Sequence, residues 1–181
     1  MKTVFILLTK YEDISSKLFN LFTFTKYTHA AIGLEDEEDH FFSFVTNNGF
    51  YLERPLRSKN PEKQARECAL YELKVTNGTY ELIKGKIDLF NEEAGKYHYS
   101  FLGVLLCILR ISLQRKNHYF CSEFVSELLT MSGAIRTQKK PNLFLPDDFR
   151  NISELKLCFL GTIGELAEAC IRRSCSCTGS V

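Results

Sequence analysis

The strongest constraint on the fold is the order in which two hydrophobic periodicities appear along the chain. Short runs rich in Val, Ile, Phe and Tyr occupy residues 3–9, 27–34, 41–46, 50–54 and 68–76. Their length and composition are those of strands. Asn47-Asn48-Gly49, between two of these runs, signals a tight turn. From residue 77 onward the spacing becomes helical: Tyr80, Ile83, Ile87 and Phe90, then residues 97–112, then 120–131, stopped by Ser132-Gly133. A short helix is expected over 13–24 with Asp13 as its N-cap, a late strand over 155–160 and a final helix over 163–173. Residues 56–66 and 141–146 read as loops, and 147–149 as a single turn. Strands first, helices next and one strand late predict an α+β fold, with a small antiparallel sheet packed on the helix that begins near residue 120.

The chain has 181 residues, enough for one core to support folding. Without repeats or low-complexity segments, residues 1–173 read as a single domain and the Ser-, Thr- and Gly-bearing stretch 174–181 as a flexible tail. Net charge is only +1, so no global field recruits nucleic acid. The opening MKTVFILLT has too short an apolar stretch for a secretory signal, and Lys10, Glu12 and Asp13 interrupt it. The longest later apolar run, 101–111, is too short to span a bilayer. A cytoplasmic protein without an integral membrane segment is the expectation. The seven cysteines include no CxxC pair, and Cys175 and Cys177 have no further ligands nearby in sequence. Reduced thiols are therefore expected, with no metal site and no cofactor.

Chemistry is concentrated in Phe120-Cys121-Ser122-Glu123-Phe124-Val125. Phe124, Val125, Leu128 and Leu129 form one apolar stripe, and Cys121 lies one turn before it, at the helix start. Backbone N–H groups are unpaired there and the helix dipole is positive. Both stabilise a thiolate, and the same N–H groups can hold an oxyanion beside the sulfur. Against this stands the ordinary role of a lone cysteine as a small buried hydrophobe.

The partner is His29, in Tyr27-Thr28-His29-Ala30-Ala31-Ile32-Gly33. Alternation puts His29, Ala31 and Gly33 on one face. The small neighbours are expected to leave room for a helix start or a substrate. His40 follows an acidic turn, His98 lies between two tyrosines, and His118 is too close in sequence to Cys121 to serve well as a general base. All three are read as structural.

Taken together, these segments resemble the permuted NlpC-type branch of papain-like enzymes, the YiiX-like and lecithin:retinol acyltransferase-like group. The resemblance rests on an ordered set covering about residues 1–161: the opening strand, the short helix, Tyr27-Thr28-His29, Phe120 to Val125, and Pro146-Asp147-Asp148-Phe149. It implies a papain-like fold, Cys121 as nucleophile and His29 as general base and acid, working through a thioester acyl-enzyme. It also implies a third polar residue that orients the histidine. Counting along the hairpin gives Ser43 this place, where relatives often carry a carboxylate or a second histidine. Glu53 is the alternative, and His40 a weaker one. Tyr27 is expected to line the substrate pocket. The implied activity is that of a thiol peptidase or amidase, on substrates such as peptidoglycan-type peptides. Acyl transfer from a lipid is the alternative, so the partner is a peptide, amide or acyl-lipid.

Two other readings compete. Ser43 cannot supply charge to an imidazolium, which favours a binding module that kept the fold and lost turnover. Seven cysteines admit a thiol sensor, whose reactivity would be shared among several thiols.

Overall fold

A computed structural model describes residues 1–11, 25–37 and 39–177, so the helix expected over 13–24 lies outside the described residues. The strands are β1 (Lys2–Thr9), β2 (His29–Leu34), β3 (Phe41–Val45), β4 (Gly49–Glu53), β5 (Glu67–Val75), β6 (His98–Tyr99), β7 (His118–Tyr119) and β8 (Lys156–Thr162). The α-helices are α1 (Pro61–Gln64), α2 (Asn77–Glu92), α3 (Phe101–Ile108), α4 (Cys121–Met131) and α5 (Ile163–Cys177). Six strands form one sheet in the order β4-β3-β2-β1-β5-β8, and every neighbouring pair is antiparallel. β6 and β7 make a separate two-residue parallel pair. The fold is α+β.

The apolar alternation of β1 explains the layering. Val4, Ile6 and Leu8 point to one face, where they meet Ala30, Ile32 and Phe44 under Ile83 and Ile87 of α2 and Phe124 and Val125 of α4. Leu7 points to the other face and joins Ala31, Phe41 and Cys68 beneath Ile163 and Leu166 of α5. Burying each such side chain is worth about 1.5–3 kcal/mol, so both faces hold helices in place. The small residues of β2 therefore serve a purpose other than the expected one. A Cβ at Gly33 would stand 2.9 Å from the Phe41 ring, and Ala31 packs in the α5 cluster. They admit Phe41 and α5, whereas α4 lies on the opposite face of the sheet.

Several boundaries differ from the sequence expectation for local reasons. The helix expected over 97–112 is only Phe101–Ile108: the Ser100 hydroxyl caps the Gly103 N–H at 3.1 Å, and Arg110 ends the helix at φ 59°. The stretch 56–66 contains the short helix α1, capped by the Asn60 side chain, after a 3-10 turn at Pro55–Arg57. The turn expected at 147–149 is a 3-10 helix, Pro146–Asn151. α5 continues to Cys177, into the stretch read as a tail, because no glycine or proline falls between Gly164 and Gly179.

Gly49 shapes the hairpin that carries Glu53. Its φ is +66°, and a Cβ there would lie 2.3 Å from the Tyr97 carbonyl oxygen. Only glycine meets both conditions. Among the described residues no helix is long and apolar enough to cross a membrane.

Candidate active site

Cys121 is the first residue of α4, and its side chain is buried. The first bond of the helix runs from the Phe124 N–H to the Phe120 carbonyl, at 3.0 Å. The N–H groups of Cys121, Ser122 and Glu123 precede it and have no partner within the helix. Phe120, at the N-cap, offers no capping side chain; instead the Glu123 carboxyl reaches back to the Phe120 N–H, half of a capping box. Burial pushes the Glu123 carboxyl up to about 8, against the pull of that bond and with help from Glu127. A protonated Glu123 adds no negative charge next to a thiolate, so the first turn keeps its positive character around Cys121 at neutral pH.

The start of α4 is anchored from behind. The Ser122 hydroxyl donates to the Phe144 carbonyl at 2.7 Å, and the Cys107 thiol of α3 approaches the same oxygen at 3.8 Å. The Ser126 hydroxyl is shared between the carbonyls of Glu123 and Pro141.

His29 is the first residue of β2, paired with Thr9 at the end of β1. Its ring is buried, and Nε2 donates to Glu53 Oε1 at 2.6 Å. Nδ1 is the ring nitrogen that Glu53 does not engage, and the Cys121 side chain lies close enough to the ring to favour its charged form. Burial alone would depress the His29 pKa. The Glu53 charge, with Tyr11 and the Cys121 and Glu53 hydrogen bonds, outweighs burial and raises it well above the usual histidine value. A chain of thiol, imidazole and carboxylate results, in which the carboxylate fixes the ring and supports the imidazolium.

Tyr11 completes the enclosure. Its ring meets His29 edge-on with centroids 4.9 Å apart, and its hydroxyl donates to Glu53 Oε2 at 3.4 Å. Its backbone N–H is bound by the Thr28 hydroxyl at 2.8 Å, and the Arg66 guanidinium stands 4.1 Å over the ring. An open groove of about 700 Å³ adjoins this side, with Tyr11, Glu53, Arg54, Arg57, Lys63 and Arg66 in its walls.

Two of the expected site residues take other places. The Ser43 hydroxyl is buried and donates to the Ala30 carbonyl at 2.7 Å, so it does not orient His29. It extends the β2–β3 contact beyond the ladder pairs Ile32↔Phe42 and Gly33↔Phe41. Tyr27 is 1% exposed and packed in the main core, so it does not line the pocket. His40 hydrogen-bonds to Glu37 at 3.3 Å, away from the site.

Two side chains take parts here that the sequence does not assign. Tyr11 lies just past a strand end, and nothing local marks it. Asp147 belongs to the Pro-Asp-Asp-Phe segment, and its carboxylate accepts the backbone N–H groups of Lys26 at 2.7 Å and Tyr27 at 3.0 Å. The entry to β2, two residues before His29, is thus clamped by the 3-10 helix Pro146–Asn151. The Asp147 carboxylate also pairs with Arg150 at 3.4 Å, and that local i,i+3 partner is what the sequence alone points to, which hides the long-range role.

The chain matches no family model and no curated protein.

Proposed function

We propose that this protein is a cysteine-nucleophile hydrolase with a papain-like active site in the permuted NlpC arrangement, acting on amides. The observation that carries the reading is the buried His29 ring bound to the Glu53 carboxylate at 2.6 Å, with Cys121 at a helix start among the groups that favour its charged form. In the proposed reaction the Cys121 sulfur attacks the substrate carbonyl carbon. The carbonyl electrons move onto oxygen, which the N–H groups at the start of α4 receive. As the tetrahedral species collapses, the C–N bond breaks and His29 delivers its proton to the departing amine, leaving a thioester on Cys121. His29 then takes a proton from water, which attacks the thioester and returns the free thiol and a carboxylic acid. Glu53 keeps the imidazole aligned and supports its charged form.

Glu53 supplies the charge that Ser43 cannot, which supports turnover over a non-catalytic module. Acyl transfer is the second reading, with an alcohol or amine in place of water at the thioester. The exposed apolar residues of α3 favour it, because they suit an acyl-lipid donor.

The test is intact-mass analysis of the protein after brief exposure to a panel of amide, ester and thioester substrates. An acyl increment on Cys121, absent in Cys121→Ala, is the expected result. A wild-type protein that never gains an acyl mass and releases no product across the panel refutes the proposal.

A further inference from the structure

Among the described residues, exposed apolar side chains are concentrated in the segment from α3 to β7. Phe101, Leu102, Leu105 and Leu109 are 62%, 44%, 53% and 59% exposed, and beyond the helix Ile111 and Leu113 are 51% and 45% exposed. Phe101, Leu105 and Leu109 follow one another at four-residue spacing, so they line one outer stripe of α3 and its C-terminal turn. Gly103 and Cys107 form the buried side. A contiguous apolar surface of this kind marks an interaction site.

The charge around it is one-sided. No aspartate or glutamate occurs from residue 94 to 122, whereas Arg110, Arg115 and Lys116 flank the apolar residues and are exposed. Among the described hydrogen bonds the segment meets one acidic side chain, Glu127, which accepts from Gln114 at 2.9 Å and whose carboxyl is pushed towards its neutral form by burial. Arg110 occupies an unusual position. The Ile111 N–H bonds back to the Leu106 carbonyl at 2.8 Å, a Schellman closure, with Arg110 at φ 59°. Glycine takes that site without strain. Here a guanidinium stands at the junction between the helical and extended halves of the apolar strip.

From these features we infer that the 101–116 segment docks the protein on an anionic lipid bilayer. The apolar side chains enter the acyl boundary, and Arg110, Arg115 and Lys116 meet lipid phosphates. The segment is too short to span, so it lies in the interface. The surface adjoins the candidate nucleophile. Gly103 sits against the Phe120 ring, the Ser100 N–H donates to the Tyr119 carbonyl, and α3 and the first turn of α4 hang on the same Phe144 oxygen. Docking therefore brings the start of α4 next to the lipid phase. The inference does not depend on the chemistry at Cys121.

Flotation of the full chain with phosphatidylcholine vesicles and with mixed phosphatidylcholine–phosphatidylglycerol vesicles tests it. The protein is expected to float with the mixed vesicles and to be released as salt rises. Leu105→Ser combined with Leu109→Ser should weaken binding roughly tenfold or more, with the melting temperature unchanged because both side chains are exposed. Arg115→Gln combined with Lys116→Gln should weaken binding to mixed vesicles alone. Cys121→Ala should float like wild type, which separates this proposal from the catalytic one. Failure to float, or flotation indifferent to all four substitutions, overturns it. So does a dimer in sedimentation velocity that the two serines dissociate, because a second copy would then cover the strip.

Discussion

His29 and Glu53 meet at 2.6 Å although their strands are not neighbours: β3 lies between β2 and β4 in the sheet. The carboxylate reaches the imidazole past an intervening strand whose own polar side chain, Ser43, is turned to a backbone carbonyl. The electrostatics of the site thus depend on the far strand of a hairpin.

Alkylation should be selective for Cys121. The Cys68 and Cys107 thiols are both pushed up to about 12 by burial and are poor nucleophiles at neutral pH. Iodoacetamide labelling followed by peptide mass spectrometry should find Cys121 modified first, with the preference lost in His29→Ala. In turnover assays, His29→Ala should cost on the order of 10²–10⁴-fold. Equal labelling of Cys121 and the other accessible thiols would speak for the thiol-sensor reading.

Glu53→Gln should lower the His29 pKa, because the neighbouring negative charge is its main support against burial. In the wild type that pKa is raised, so the charged ring contributes stability fully below about pH 6.5 and loses it as pH rises through the raised value. In Glu53→Gln the loss should begin at lower pH. Titration of the His29 ring by NMR, paired with chemical denaturation across pH, gives both numbers. An unmoved ring titration would show that Glu53 does not set the charge of His29.

Glu123 gives the protein a second pH dependence. Its carboxyl titrates near 8 in the folded chain, against an ordinary value near 4.5. The raised value means its contribution is complete below that ordinary value and is lost as pH climbs through 8. The wild-type melting temperature should therefore fall between pH 6 and 9 by more than that of Glu123→Gln, which keeps an acceptor for the Phe120 N–H. Parallel pH profiles for the two proteins would contradict this.

Asp147→Ala should remove two charge-assisted bonds to the Lys26 and Tyr27 N–H groups, at a cost of about 2 kcal/mol. The residue touches neither Cys121 nor the His29 ring among the described contacts, so it acts by positioning. kcat should fall while the pH profile keeps its shape, and Asp147→Asn should restore part of the loss. A change in stability with no change in kcat would make it a fold residue only.

Much of this is legible in the chain itself. Short apolar runs locate the six strands of the sheet, though not their order within it. Cys121 could be placed because helix starts carry a recognisable stripe, and His29 because few histidines competed. The third member was misassigned to Ser43 because strand counting assumes that a histidine is oriented from the adjacent strand, and sequence does not show how far a glutamate reaches across one. The expectation for Tyr27 failed because alternation alone does not say which side of a strand end faces the core. Small residues opposite Phe41 were read as space for α4, since Gly33 and Ala31 look the same whichever helix covers them.

The Asp147 clamp has a consequence for the order of events in synthesis. The histidine strand and the cysteine helix are both translated before residue 147, but the group that fixes the entry to β2 comes 120 positions after Tyr27. A nascent chain that has emerged only as far as α4 carries the thiol and the imidazole without the brace that aligns them. Reactivity at Cys121 is therefore expected to appear late, once Asp147 has left the ribosome.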